Sequence, residues 1–231
     1  MWQVLSSIGL VASFLLPTPI QVVKAFASEF PTLMGHSLVT LAEAFIGLGF
    51  GILLGFVIAV VMDQFDGLYK AFYPLIVLTQ TVPTVAIAPL LVLWFGYEMM
   101  PKVILIVITT FFPIAVGLLN GFKEADKDSI NLLRAMGAGR WQIFYHIKFP
   151  GALSEFFAGF RISASYAVVG AVISEWLGGF KGLGVYMTRV KQAFSFDKMF
   201  AVIFLISIIS LLLMKGVDFL QKKCMPWEKE N

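Results

Sequence analysis

The chain of 231 residues carries 17 Lys and Arg against 14 Asp and Glu, so only 13% of its positions are charged while 59% are Ala, Val, Ile, Leu, Met, Phe, Trp, Tyr or Cys. Soluble domains are about one quarter charged, and a surface this poor in charge cannot keep so much apolar side chain in water. Composition therefore excludes a secreted domain, a nucleic-acid binder and an ordinary cytosolic enzyme, and places the chain in a membrane. One cysteine, Cys224, leaves no partner for an intrachain disulfide and no cysteine cluster for a metal.

A membrane-spanning helix needs roughly 20 apolar residues. Met1–Leu16 is apolar but short, lacks the basic start and small-residue cleavage site of a signal peptide, and runs into Pro17 and Pro19. It reads as interfacial, within an N-terminal extracytoplasmic segment expected at 1–35. Ser37–Met62 is the first clear span. Ala71–Tyr97 is uncharged and long enough to cross, but Pro74, Pro83 and Pro89 predict a helix kinked or broken near Gln80–Thr84. Val103–Phe122, Phe156–Ser174 and Met199–Met214 follow. Five spans give an all-α polytopic membrane protein, with the membrane domain at 36–219 and a cytoplasmic tail at 220–231. Eleven of the 17 basic residues lie on the side of segment 123–161 and the tail, and six, Lys102 among them, lie on the other. The excess of Lys and Arg sets the first side as cytoplasmic.

The cytoplasmic loop at 123–152 is too long for a turn and is patterned as two short helices. Ile130, Leu132, Leu133 and Met136 recur before Gly137, Trp141, Phe144 and Tyr145 recur after Gly139, and Pro150 is expected to stop the second helix. Both glycines suit a helix end. A short exposed helix with apolar residues showing fits a partner's groove. A hairpin lying on the membrane surface, with Arg140 and Trp141 as anchors, is the alternative.

Gly137, nine residues, then Ile147-Lys148-Phe149-Pro150 resembles the "EAA" loop of permease subunits in bacterial ATP-binding-cassette importers. That loop reads Glu-Ala-Ala, three residues, Gly, nine residues, Ile-x-Leu-Pro. Asn131-Leu132-Leu133 stand here where Glu-Ala-Ala would be, and Phe149 replaces the leucine. Pro83-Thr84-Val85-Ala86-Ile87-Ala88-Pro89, Trp94-Phe95-Gly96, Phe112-Pro113 and Ser174-Glu175-Trp176-Leu177-Gly178 also resemble the branch that imports sulfonates, taurine, nitrate and thiamine-type precursors. The resemblance covers roughly residues 10–220.

It implies a type I importer permease fold whose coupling helix docks on a separate ATPase subunit, present in two copies and holding the ATP and magnesium. Carried over by position, Leu133, Arg134, Ala135, Met136, Gly137, Ala138 and Gly139 would make that contact, flanked by Arg140 and Trp141, with Pro150 closing the motif. An extracytoplasmic substrate-binding protein is implied as well, and five spans in one chain suggest a two-fold pair with a second copy. The stretch from Tyr166 through Glu175 to Tyr186-Met187 most resembles permeases for thiamine-precursor pyrimidines, then riboflavin. Relatives usually carry one span before a Trp and Leu-Pro-Ser-Pro-like segment. Trp2 and Leu16-Pro17-Thr18-Pro19 open this chain, so the usual first helix is expected to be absent.

Within the spans, Glu43, Gly47, Gly51, Gly55 and Ala59 recur at every fourth position, a stripe that reads as helix packing. Glu43 itself reads as a solvated carboxylate at the outer rim. Gln80, Thr81 and Thr84 put polar groups on irregular backbone at membrane depth, which suits a covered or water-lined position. Ser163, Ser165 and Tyr166 are further candidates for the pathway lining, and Glu175 for the gate or for contact with the binding protein. Arg161 begins its span at the cytoplasmic side and can snorkel. No phosphate-binding loop is present, since Lys181-Gly182-Leu183-Gly184 has the wrong spacing, and His36 and His146 belong to no metal motif. An ion-coupled secondary transporter, the rival reading, calls for intramembrane carboxylates or an internal repeat, and the sequence suggests neither. An intramembrane enzyme lacks its catalytic constellation.

Overall fold

A computed structural model describes residues 16–227; the reading of Met1–Leu16 and the position of Trp2 lie outside them, except for Leu16 itself. Every regular element among the described residues is helical. Helix α1 (Pro19–Ser28) starts where Thr18 and Gln21 satisfy each other's backbone N–H groups, with Pro19 at the first position. Helix α2 (Phe30–Gln64) begins ahead of the expected Ser37. Nothing charged interrupts Phe30–Ala42, and the Leu33 amide already donates to the Glu29 carbonyl. The boundary expected at residue 35 thus falls inside a helix. At 35 residues α2 is about 50 Å long, well beyond a hydrocarbon core of about 30 Å.

Helix α3 (Asp66–Thr79) stops and α4 (Thr84–Phe95) restarts around Pro83, the break expected from the prolines. Helix α5 (Met99–Glu124) is followed by α6 (Lys127–Ala135) and α7 (Arg140–Ile143). Pro150 does not end the second short helix. A π-helical turn, Phe144–Lys148, precedes it, and the chain continues helically through Phe149–Gly151. The α pattern is already interrupted where Pro150 lacks its N–H. Helices α8 (Leu153–Leu177), α9 (Leu183–Gln192) and α10 (Phe196–Cys224) complete the chain, α10 running past the boundary expected at 219. By length and composition α2, α5, α8 and α10 can each cross a membrane, and the broken α3–α4 pair makes a fifth. Phe45, Phe50, Leu53, Leu93, Leu211 and Leu212 stand exposed on these helices, as lipid-facing side chains must.

Among the described residues the chain packs as two compact units, 16–46 with Thr84–Leu105 and Val168–Leu212, and Gly47–Pro83 with Ile106–Ala167 and 213–227. In the second, glycines bring helices into close contact, against side chains at Gly47 and Gly51 and against backbone at Gly55. A Cβ on Gly47 would meet Ile106 at 2.5 Å, one on Gly51 would meet Thr110 at 2.0 Å, and one on Gly55 would meet the Phe111 carbonyl at 2.7 Å. These partners advance together along α2 and α5, so the two helices run parallel and one crossing must separate them. On α8, a Cβ at Gly159 would meet the Pro113 carbonyl at 2.3 Å, and one at Gly117 of α5 would meet the Glu155 carbonyl at 2.6 Å. These contacts pair in opposite order, so α8 runs antiparallel to α5. Ser163 donates across this contact to the Thr110 carbonyl at 2.7 Å. Around it lie Phe111, Ile114, Leu118, Phe122, Phe144 and Ala152.

The first unit is centred on Leu33, Leu183, Tyr186, Val190, Val202 and Leu205. It also holds charge. Glu43 is buried, and Lys102 Nζ donates to its Oε1 at 2.6 Å. The expected rim carboxylate is therefore an internal one, and Lys102 is an internal cation rather than a flanking charge.

Candidate functional site

The hairpin between α5 and α8 is built to hold a small surface firmly. Asp126 caps α6, accepting from the amides of Asp128 and Ser129 and from the Ser129 hydroxyl. The Ser129 hydrogen bonds hold its carboxyl below the usual carboxylate range. At the other end Gly137 takes φ +85°, the left-handed backbone that glycine adopts freely. The Gly137 amide donates to the Arg134 carbonyl and the Ala138 amide to the Leu133 carbonyl, a paired closure that ends the helix. Gly139 behaves differently from the expectation of a left-handed end. Its φ is −73°, and it caps α7, its amide donating to Gln142 Oε1 at 2.7 Å.

Beneath this surface Ala125, Ile130 and Ile143 are buried, and Leu133, Ala138 and Ile147 pack on them. Phe144 joins the second unit's core, edge-on to Phe122. Of the residues expected to make the contact, Arg134, Ala135, Met136, Gly137, Gly139, Arg140 and Trp141 are exposed, whereas Leu133 and Ala138 face inward and Pro150 is half-buried. Leu132 and Tyr145 stand out as well, at 63% and 68% exposure beside Met136 at 74% and Trp141 at 65%. Helical spacing from Met136 and Trp141 was the signal for these two. His146 faces water as expected, although it lies on the π-helical turn, with Nδ1 2.9 Å from the Gln142 carbonyl.

The candidate pathway residues divide between the units. In the second, Gln80 and Thr81 are exposed at the end of α3, where the Thr81 hydroxyl donates to the Leu78 carbonyl. Ser165 is half-buried and Tyr166 exposed on α8. Arg161 finds partners on another helix. It lies within α8 and pairs with Asp218 of α10 at 2.7 Å and with Gln221 at 2.8 Å. In the first unit, Thr84 begins α4 half-buried, and Glu175 is almost wholly enclosed.

Glu175 organises the loop between α8 and α9. Its Oε1 accepts from Thr40 at 2.7 Å and its Oε2 from the Gly184 amide at 2.5 Å. The Leu183 amide donates to Thr40 Oγ1, and the Gly182 amide to His36 Nδ1. A side chain on Gly182, at φ +128°, would meet the carboxylate at 2.2 Å. The stretch Lys181-Gly182-Leu183-Gly184 is therefore a wrapper for a carboxylate, and Glu175 is turned inward. With Glu43 and Glu175 both buried, the absence of intramembrane carboxylates no longer argues against ion-coupled transport.

Family membership supplies that argument instead. Residues 51–226 match the family described as binding-protein-dependent transport system inner membrane component. The chain is 38% identical over 219 residues to the formylaminopyrimidine transport permease protein ThiX of Halalkalibacterium halodurans, covering 94% of this chain and 88% of the relative. It is 32% identical to a probable ABC transporter permease protein of Haemophilus influenzae, covering 95% and 89% respectively. Its fold matches the inward-facing MetNI methionine ABC transporter with TM-score 0.73, at 20% identity over 83% of this chain and 95% of that one. The spans, the parallel and antiparallel helix contacts and the capped hairpin accordingly belong to a multi-pass permease subunit of an ATP-binding-cassette importer, a member of the binding-protein-dependent transport inner-membrane family.

Proposed function

We propose that this chain forms the import pathway for a thiamine-precursor pyrimidine of the formylaminopyrimidine type. It works as a two-fold pair with a second copy. Two ATPase subunits, holding ATP and magnesium, seat on the hairpin at its cytoplasmic face, and an external binding protein delivers the substrate. The observation that carries the substrate class is the 38% identity, extending over 94% of the chain, to a formylaminopyrimidine permease. Support for the ATPase seat comes from Leu132, Met136, Trp141 and Tyr145, which are large apolar groups held outward on a hairpin whose underside is packed. Such a surface, with Arg134 and Arg140 beside it, has the apolar anchors and basic rim of a protein contact.

Alternating access requires a ligand that binds two states unequally. ATP bound to the paired ATPases would favour the outward-open state through the hairpin, and hydrolysis would return the inward-open one. Gln80, Thr81, Thr84, Ser165 and Tyr166 remain the candidates for contact with the moving substrate.

Uptake into vesicles holding the permease, its ATPase and its binding protein tests the substrate. Labelled formylaminopyrimidine should accumulate only with ATP, and excess riboflavin or taurine should not compete. Competition by riboflavin would move the assignment to that class. Deleting Leu133–Gly139 should release the ATPase during purification. ATP-driven uptake persisting after the deletion would refute the seat.

A further inference from the structure

Asp63 occupies an awkward place. It lies in the last turn of α2, where the helix's unpaired carbonyls disfavour a carboxylate and where no basic residue of α2 compensates. Its side chain is only 9% exposed. The compensating cation comes from 85 residues further along the chain, where Lys148 Nζ donates to Asp63 Oδ1 at 2.6 Å. Lys148 ends the π-helical turn of the hairpin. Its neighbour Phe149 packs edge-on against Phe56 of α2, with ring centroids 5.9 Å apart. Two adjacent hairpin residues thus grip α2, one through apolar contact and one through charge.

The charged grip spans a place where packing is incomplete. A cavity of about 410 Å³ opens there, lined by Asp63, Tyr69, Lys123, Asn131, Arg134 and Lys148. Dispersion contacts are lost over a fraction of an ångström, whereas attraction between charges falls only with the first power of distance. An ion pair at the edge of this open pocket therefore keeps pulling while the surfaces slide. We propose that Lys148–Asp63 is a strut that passes displacement of the hairpin to the end of α2, with both acting as positioning residues that leave ATPase docking to the exposed hairpin surface. This rests on the reading of the hairpin as the ATPase seat.

The test uses the permease–ATPase complex in lipid nanodiscs, with Cys224→Ser removing the native thiol and Phe65→Cys, at an exposed site just past α2, as the reporter. The readout is the ratio of maleimide labelling rates with and without ATP. With the pair intact the ratio departs from one. Asp63→Asn and Lys148→Met each keep the ATPase bound but bring the ratio back toward one, and the exchanged pair D63K/K148D restores it. A ratio unchanged in both single variants, or no ATP response with the pair intact, overturns the strut. So does an exchanged pair that stays folded without restoring the response, or loss of the ATPase from either single variant. Failure of the seat would instead show as ATPase retained after deletion of Leu133–Gly139, a result independent of these ratios.

Discussion

The two compact units solve the same problem with a different emphasis. One removes side chains: Gly55, Gly117 and Gly159 let α2, α5 and α8 approach until backbone meets backbone. The other buries polar groups and pairs them, Glu43 with Lys102 and Glu175 with Thr40 and the Gly184 amide. In lipid, apolar side chains give helices no reason to prefer one another over the bilayer. Close backbone approach and paired polar groups are the two remaining sources of specificity, and the two units weight them differently: Ser163 and Lys148–Asp63 add polar contacts to the glycine-packed unit, and Gly184 approaches the Val172 carbonyl in the polar one. The glycine-packed unit carries the hairpin. The polar unit carries the Gly-rich loop 178–184, fastened by hydrogen bonds to His36, Thr40 and Glu175.

The contrast is broken most severely at Lys102. Lys102→Met leaves the Glu43 carboxylate buried without its cation, and removing one member of a buried pair costs about 3–5 kcal/mol. The double variant E43Q/K102M should recover most of that loss, since two neutral groups leave no uncompensated charge. Thermal unfolding in detergent checks both. A Lys102→Met variant that melts with the parent would show that the pair is not what holds this unit together.

A smaller effect belongs to the glycine-packed unit. Gly159→Ala drives a methyl into the Pro113 carbonyl, which is backbone and cannot swing aside, at a cost of about 1–3 kcal/mol. Gly35→Ala meets nothing within 4 Å and should be neutral or stabilising by about 0.5–1 kcal/mol, through helix propensity alone. Equal melting temperatures for the two variants would remove the distinction between a contact glycine and an idle one.

How far the sequence foresaw these regions follows from their chemistry. The stripe at Gly47, Gly51 and Gly55 is local and periodic, so its packing face could be read from spacing. The break around Pro83 and the left-handed Gly137 follow from the limits of single residues. Glu43 misled because its partner lies 59 residues away and three helices further along the chain. Charge near a span end signals an interface when read singly, and nothing in Lys102 alone reveals that it points inward. Glu175 was legible as unusual but not as enclosed, because the loop that wraps it owes its path to distant Thr40 and His36. In the hairpin, the pattern marked the exposed Met136 and Trp141, while the inward turn of Leu133 and Ala138 depended on Ile143 arriving from the second short helix.

The smallest expected effect separates burial from charge within the polar unit itself. Glu29 follows α1 and accepts from Lys198 of α10, with side chains 24% and 35% exposed, unlike the enclosed Glu43–Lys102 pair. The Lys198 hydrogen bond is the main cause holding the Glu29 carboxyl below its usual value. Because the folded state lowers this value, the contribution is complete above the ordinary glutamate value of 4.5 and is lost as pH falls through the depressed one. Tyr186 does not enter this window, since burial and the Glu29 charge push its hydroxyl up to about 12. Solvent screening limits such a partly exposed pair to at most about 1 kcal/mol. Amide exchange along α1, corrected for intrinsic rate, should be flat from neutral pH down to about 5 and rise below 4.5. Glu29→Gln should remove that rise while leaving the overall melting temperature nearly unchanged. A loss of protection already present near neutral pH would assign the docking of α1 to another group. A large fall in melting temperature would mean that an exposed pair matters here as much as an enclosed one, against the contrast between Glu29–Lys198 and Glu43–Lys102.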